Sequence, residues 1–471
     1  MSERETEESL KWLFERVPFE LNGKQKKFLV AFINSEKSFI LQGLAGSGKS
    51  TIMALLKEYY QDKILFTATT GVANLSLPNN IGNGTAHSCL SLATEPTNEL
   101  HHKKVSTTTN NLLGSSDIVE IITVDEAFGL NSDNLDLIWR RIERFNKRTA
   151  KRKKRNIRLL LVGDSAQQVT IADDETQEEL YRRWNHHLMF KSSVWNRFDF
   201  QVAVLDKVER QKDKVYMACL EVIRYNQKER FGRCLPWLNT LHKKDYSNDQ
   251  LVLAATNKTV DKINERALKS NTNKKVLFKG NVTGKFNMKD VLIKKDITLC
   301  QGALVMLANN DREGRWVNGS RGVVTDIIHG EGVWVEFTNG EVHFVEYLDY
   351  ENTETYVEKD TKQADGSLKD EMKKKVIGKL TALPILLGYS ISISKSQGLT
   401  ITDKYVIDME GSYLYTWEKL GSFGTQFLYV ALSRAAEKEL VTLATKLEPN
   451  HVKVCQDSID FWYECVDKSI I

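Results

Sequence analysis

Eight consecutive residues, Gly43-Leu44-Ala45-Gly46-Ser47-Gly48-Lys49-Ser50, fit G-x-x-x-x-G-K-[ST] at every fixed position. Glycines at Gly43, Gly46 and Gly48 let backbone N–H groups close around a polyphosphate, with Ser47 and Thr51 beside them. Lys49 would place a point charge on the β- and γ-phosphates, and Ser50 would offer its hydroxyl to Mg²⁺. Two further groups follow. Asp125-Glu126 ends the apolar run Ile118–Val124. There Asp125 would hold Mg²⁺ through water and Glu126 would orient the attacking water. Gly163-Asp164-Ser165-Ala166-Gln167 caps the next apolar run, where the neutral amide of Gln167 could read a γ-phosphate without adding charge. An acidic pair alone reads as a solvated strand end, and Gly-Asp alone as an ordinary turn. As the second and third of a series behind a phosphate loop, both gain meaning.

These groups need a scaffold that presents strand ends together. Phe39–Gln42, Ile64–Ala68, Val119–Val124 and Leu159–Val162 read as buried strands alternating with helical stretches, the first helix being Thr51–Tyr60. That alternation predicts a parallel sheet covered by helices. Ser91–Ser116, polar and rich in Thr, Asn and His, interrupts it and reads as an exposed loop without a core of its own. After Val204 the pattern restarts with strand Leu251–Ala255 and helix Val260–Lys269. Short, closely spaced strands then follow at Gly302–Leu307, Gly322–Ile328, Val333–Phe337 and Val342–Tyr347, with Asn339-Gly340 as a hairpin turn. They predict a small inserted all-β domain. The mixed-charge run Glu358–Lys375 reads as a solvated loop or exposed helix.

Composition narrows the class. Length, 471 residues, suits two to four modules, and 41% hydrophobic with 27% charged residues is an ordinary globular balance. No apolar run reaches membrane-spanning length, and the charged start MSERETEESL lacks the apolar stretch of a signal peptide. Six scattered cysteines with no C-x-x-C pair argue against a zinc site and for a reducing compartment. Net charge is only +4, so any nucleic-acid surface must be local.

The later motifs decide the class. Lys395-Ser396-Gln397-Gly398-Leu399-Thr400 looks like motif V of superfamily 1 helicases, and Tyr429-Val430-Ala431-Leu432-Ser433-Arg434 like their motif VI. Val317-Asn318-Gly319 resembles a segment of the PIF (petite integration frequency) helicases; the Dda and RecD helicases are more distantly similar. The match runs from about Leu21 to about Ala435, nearly the whole chain. The resemblance implies an α/β fold of two RecA-like P-loop domains with parallel sheets, plus an SH3-like inserted domain. It places the first domain at residues 1–205 and the second at 206–275 and 380–471, with 276–379 as the insertion. It also implies ATP and Mg²⁺ as cofactors, single-stranded and forked duplex DNA as partners, replication or recombination proteins as further ones, and 5′-to-3′ translocation by a monomer.

The resemblance carries roles onto particular residues. Gln25 would read the adenine edge. Arg210 and Arg434 would reach the γ-phosphate from the second domain. There a planar guanidinium stabilises transition-state charge and acts only in a closed cleft. Thr69, Thr70, Gly71, Thr85 and His87 in the first domain, and Asn257, Lys395, Ser396, Gln397 and Thr400 in the second, would follow the sugar-phosphate chain. The chain departs from the pattern at Ser394, where histidine is usual, at Ser165 with Gln168-Val169-Thr170, which replace a proline-bearing motif III, and at Phe128, where serine is commoner.

Other features invite over-reading. The basic cluster Arg148 to Arg155 reads first as a solvated helix end, and His101-His102 lacks the further ligands a metal needs. Trp316 and Trp334 suit core packing more often than base stacking. Ser91–Ser116 is either a steric wedge at a duplex junction or a tolerated surface loop. The expectation is an ATP-dependent DNA helicase of the cytoplasm, in a bacterial or phage-infected cell, with a nuclear location still open. A translocase that strips proteins or remodels strands is the alternative within the class, and a nucleotide-controlled interaction switch the alternative outside it.

Overall fold

The computed structural model describes residues 8–78, 81–93, 96, 105–114, 119–150, 156–167, 170, 174–207, 213–247, 249–311, 313–316, 318–362, 368–397, 401, 403–409 and 426–471. The chain forms two compact units. One is Met1–Glu209, Thr353–Lys375 and Gln456–Ile471, and the other is Arg210–Asn352 and Val376–Cys455. Among the described residues no helix is long and apolar enough to cross a membrane.

In the first unit, β1 (Phe39–Gly43), β2 (Ile64–Ala68), β3 (Gly84–Thr85), β4 (Ile121–Asp125), β5 (Arg158–Gly163) and β6 (Gln201–Leu205) form one sheet in the order β3-β2-β4-β5-β1-β6. Every pairing in it is parallel. β1, β2 and β5 are buried along their whole length, which explains their unbroken apolar character. Helices Gly23–Ile33 and Lys49–Tyr60 pack Phe28, Phe32, Ile52 and Leu56 onto Phe39, Leu41 and Phe66.

The last helix, Gln456–Asp467, belongs to this unit, whereas the sequence groups residues 380–471 together. Phe461 stacks on Phe190 with ring centroids 4.4 Å apart, and the Ile470 N–H donates to the Val202 carbonyl at 3.0 Å. This helix explains Phe128: the ring is 2% exposed and meets Phe461 at 5.8 Å and Phe190 at 6.1 Å.

The second unit contains β7 (Leu251–Ala254), β8 (Val276–Phe278), β9 (Asn281–Gly284), β10 (Ile297–Leu299), β11 (Leu304–Leu307), β12 (Arg321–Ile328), β13 (Gly332–Phe337) and β14 (Val342–Glu346). The paired strands β15 (Leu348–Lys362) and β16 (Leu368–Ala382) come next in the chain, and their far parts, within Thr353–Lys375, belong to the first unit; β17 (Ile385–Leu387), β18 (Ser390–Ser392), β19 (Tyr405–Asp408) and β20 (Val441–Leu443) then return to the second. Its parallel sheet runs β18-β7-β19-β20, and an antiparallel sheet runs β14-β13-β12-β11-β17. The Asn339-Gly340 turn holds, with Gly340 at φ 83° and its N–H on the Phe337 carbonyl at 2.9 Å. Trp316 is 7% exposed and stacks on Phe337 in the core of the antiparallel sheet.

Two expectations are corrected. In its described parts Glu358–Lys375 is strand and not a loop or helix: residues to Lys362 lie in β15 and residues from Leu368 in β16, and residues 363–367 lie outside the described residues. The strand signal there is β-branched rather than apolar, with Thr353, Thr355 and Val357 alternating with charged or aromatic neighbours. Ser91–Ser116 is not wholly a coreless loop. Thr107–Gly114 is a helix whose Leu112 and Leu113 are buried, and Thr109 donates to the Cys89 carbonyl at 2.9 Å. Ser106 ties back to Ser91 at 2.9 Å. Residues 94–95, 97–104 and 115–116 of the candidate wedge, including His101-His102, lie outside the described residues, as do residues 151–155 of the basic cluster.

Candidate functional site

In a parallel sheet all carboxyl ends meet along one edge, and loops there face the same crevice. In the first unit that edge collects the candidate residues. Gly43 ends β1, Ala68 β2, Thr85 β3, Asp125 β4 and Gly163 β5. Register makes them neighbours: Gln42 pairs with Gly163, and Ala68 pairs with Asp125 on one side and Thr85 on the other.

The loop after β1 is held from several directions. Gly48 caps the helix Lys49–Tyr60 at φ 88°, ψ 21°, a left-handed conformation that suits glycine. A Cβ there would stand 2.3 Å from Gln25 Nε2. Gln25 is 4% exposed and fully engaged: its Oε1 accepts the Asn22 N–H at 2.9 Å, and its Nε2 donates to the Ser47 carbonyl at 3.1 Å. The capping glutamine of the helix Gly23–Ile33 is thus also a strut for the phosphate loop. Lys49 Nζ donates to the carbonyls of Gly43 at 2.7 Å and Leu44 at 3.1 Å, curling its charge over the loop. Ser47 Oγ is buried with no hydrogen-bond partner among the described residues, so it is a hydroxyl without a partner inside an anion cradle. Gly46 also has positive φ, 77°. Ser50 and Thr51 follow Lys49 in the first turn of the helix.

Asp125 and Glu126 stand beside this loop. Burial and the adjacent Glu126 carboxylate push the Asp125 carboxyl up to about 7, against the opposing pull of Lys49. A half-buried carboxylate, raised first by desolvation and then by a like charge, suits a cation. With the Ser50 hydroxyl, Asp125 gives the all-oxygen donor set that suits Mg²⁺. Glu126 adopts φ 50°, uncommon for a residue with a side chain. Its conformation turns the chain from β4 into the short helix Ala127–Gly129. Gln167 is 5% exposed and donates to Asp164 Oδ2 at 2.8 Å, while Asp164 Oδ1 accepts the Ala166 N–H at 3.1 Å. Gln168 and Val169 lie outside the described residues.

Two threonine turns sit farther along the same edge. Thr70 caps the helix Gly71–Ser76 by accepting the Ala73 N–H, and Thr85 caps Ala86–Leu90 by accepting the Ser88 N–H. Thr69 Oγ1 is buried without a partner among the described residues. Burial lowers the pKa of His87, which favours its neutral form.

The second unit repeats the scheme. Ala254 of β7 pairs with Ser392 of β18 and Asp408 of β19. After β7, Thr256 caps the helix Asn257–Ser270, so Asn257 is its exposed first residue. After β18, Ser394–Ser396 forms a short helical turn. Lys395 is exposed there, and partial desolvation of its ammonium by neighbouring chain, with Lys294, holds its pKa down. Ser396 does not face outward: its hydroxyl is buried and donates to the Ile393 carbonyl at 2.7 Å. Gln397 is half-buried, and Thr400 lies outside the described residues. Arg434 is 2% exposed, with Nε on the Val430 carbonyl at 2.9 Å, Nη2 on Ser433 Oγ at 2.8 Å and Nη1 on the Ser396 carbonyl at 3.4 Å. It joins the turn after β18 to the helix Phe427–Leu432. Arg210 and Val317 lie outside the described residues.

Sequence reading missed two positioning groups. Gln42, fully buried in β1, accepts the Ser165 N–H at 3.1 Å and so ties the turn after β5 to the strand that feeds the phosphate loop. Its signal was an amide inside an otherwise apolar strand. Thr355 of β15 is 2% exposed and donates to the Asn83 carbonyl at 2.9 Å, just before Thr85, and Lys374 of β16 donates to the Gly82 carbonyl at 2.5 Å. Nothing local could have paired residues so far apart in sequence.

Comparison with known proteins agrees with this geometry. The AAA domain family matches residues 20–244. The ATP-dependent DNA helicase Pif1 of Campylobacter jejuni is 26% identical over 425 residues, covering 84% of this chain and 86% of that protein. That of Bdellovibrio bacteriovorus is 26% identical over 396 residues, covering 82% and 81%. Unliganded Pif1 from Bacteroides sp. superposes with a TM-score of 0.76 at 25% identity, covering 94% of this chain and 97% of that one. The same protein in complex with ADP-AlF4 gives 0.79 at 24% identity, covering 96% and 98%. Over more than four fifths of its length the chain is similar to the Pif1 helicases, which matches the resemblance that motifs V and VI carry.

Proposed function

We propose that this chain is an ATP-dependent DNA helicase that moves 5′-to-3′ along one strand and opens the duplex ahead of it. The observation that carries this reading is the strand-edge arrangement. One parallel sheet presents phosphate loop, acidic pair and amide turn beside two threonine turns, and a second parallel sheet presents motifs V and VI.

The residues divide the work. The N–H groups from Gly46 to Thr51 wrap the phosphates, with Gly43 leaving room for the loop and Gln25 bracing it at the adenine end. Lys49 leaves the Gly43 and Leu44 carbonyls for the β- and γ-phosphates. Ser50 and Asp125 hold Mg²⁺, which when bound neutralises phosphate charge. Glu126 orients the attacking water, and Gln167 reads the γ-phosphate. Arg210 and Arg434 supply planar positive charge from the second unit, so hydrolysis follows domain closure. Thr69, Thr70, Gly71, Thr85 and His87 grip the strand from one unit, and Asn257, Lys395, Gln397 and Thr400 grip it from the other. Ser396 acts through its backbone. The direction of movement rests on the family resemblance. The working form is a monomer on single-stranded or forked DNA.

The test is ATP turnover with and without single-stranded DNA. DNA should raise the rate strongly, and high salt should weaken the effect as phosphate contacts are screened. Lys49→Ala should abolish hydrolysis, and Glu126→Gln should retain ATP binding while slowing turnover sharply. A basal rate indifferent to nucleic acid would favour a nucleotide switch instead.

A further inference from the structure

The antiparallel sheet of the second unit has an outer face that carries none of the residues given a role above. Its inner side is core: Val324, Val333, Val335, Phe337 and Val345 are all buried. The outer side is apolar where water would be expected. Val323 is 36% exposed, Trp334 38% and Val342 47%. Register lines these residues up in rows. Val323, Glu336 and Val342 lie across one row, Asp326, Trp334 and Phe344 across the next, and Gly332 and Glu346 across the one beyond. The rings of Trp334 and Phe344 meet at 5.3 Å. A Cβ on Gly332 would stand 2.9 Å from Phe344 Cζ, so the bare glycine lets that ring lie down on the sheet.

Charge separates the possible partners. From Gly322 to Glu346 the chain holds Asp326, Glu331, Glu336, Glu341 and Glu346 and no lysine or arginine, in a protein with 66 such cations overall. Arg315, which senses Glu346, is committed to Asp311 by two hydrogen bonds of 2.8 and 2.9 Å. Exposed aromatics suggest base stacking, but an acidic surround repels a phosphate backbone. Shielding Gly332 explains Phe344; it does not explain why Asp326, Glu336 and Glu346 share these rows.

We propose that this face docks a cationic segment of a partner protein, seating an apolar side chain on Trp334 and Phe344 and lysines or arginines at Glu336 and Glu346. Along β13 and β14 those carboxylates stand two residues from the aromatic row, in opposite directions. An extended strand repeats its facing side chains at the same interval, so a cation–apolar–cation alternation on one side of the partner fits.

The test uses the full chain and dye-labelled peptides followed by fluorescence anisotropy. One peptide repeats Lys-Ser-Leu-Ser, the other Glu-Ser-Leu-Ser, and labelled oligothymidine serves as the nucleic-acid probe. The lysine peptide should bind and weaken with salt, and the glutamate peptide should not bind. The double variant Glu336→Lys/Glu346→Lys, which changes only exposed positions, should weaken the lysine peptide by about tenfold or more. Trp334→Ser should weaken it too. Oligothymidine affinity and DNA-stimulated ATP turnover should stay at wild-type values in both variants. Equal peptide affinity in wild type and the charge variant would overturn the proposal. So would loss of oligothymidine affinity in Trp334→Ser, which would make the face a stacking platform for bases.

Discussion

Gly48→Ala tests the joint between the phosphate loop and the helix Gly23–Ile33. Two costs follow from the geometry. Alanine must hold φ near 88°, at about 1–2 kcal/mol. Its Cβ would also stand 2.3 Å from Gln25 Nε2, so the amide must swing away and give up its bond to the Ser47 carbonyl, a loss of about 1 kcal/mol. The sum, about 2–3 kcal/mol, should lower the midpoint of thermal unfolding by roughly 4–12 °C for a unit of this size. Nucleotide affinity should fall with it, because the displaced Gln25 no longer braces the loop. Gly23→Ala is the control: nothing lies within 4 Å of a Cβ there, so it should be neutral or slightly stabilising. Adding Gln25→Ala to Gly48→Ala removes the clash but not the backbone strain, so the double variant should lose less than the sum of the singles. Differential scanning calorimetry without nucleotide, with equilibrium binding of an ATP analogue, reads wild type, the three single variants and the double variant. A Gly48→Ala midpoint no lower than that of Gly23→Ala would refute the reasoning.

Two further expectations come from a buried arginine and a buried histidine. Arg434→Lys keeps a charge but has one nitrogen where the guanidinium uses three, on the Val430 and Ser396 carbonyls and Ser433 Oγ, so it should both unfold earlier and turn over ATP slowly at saturating ATP and DNA; a wild-type rate would show that the planar fork is not needed. His187, fully buried, has its pKa lowered to about 4 by burial and by neighbouring His186, against an ordinary 6.5. Between those values the unfolded chain binds the extra proton, so stability is fully present above the upper value and declines as pH falls through the lower. His187→Gln should flatten that part of a urea-midpoint profile against pH, and an unchanged slope would contradict it.

Much of the site was legible because its parts are short and local. The phosphate loop, Asp125-Glu126 and Gly163–Gln167 each sit where an apolar run stops, and buried parallel strands make such runs conspicuous. The paired strands Leu348–Lys362 and Leu368–Ala382 escaped notice because most of their residues are polar or charged, although Tyr350, Leu380 and Ala382 near their outer ends are buried together. The helix Thr107–Gly114 was hidden by a Thr- and Asn-rich start, and only Leu112-Leu113 betrays a buried side. Phe128 read as a departure from a motif, yet it is a core ring answering Phe461, more than three hundred residues later. Ser396 matched a motif whose hydroxyl turns inward here. Residue type and spacing locate a turn; which way its side chains face depends on packing that no local window contains.

The most direct test of the helicase assignment is strand displacement from duplexes carrying a single-stranded tail at one end, with ATP and Mg²⁺, by wild type and Glu126→Gln. The account predicts that wild type releases the strand from the 5′-tailed duplex and leaves the 3′-tailed one intact, and that Glu126→Gln releases neither. Release from the 3′-tailed duplex alone, or equal release by Glu126→Gln, would contradict it.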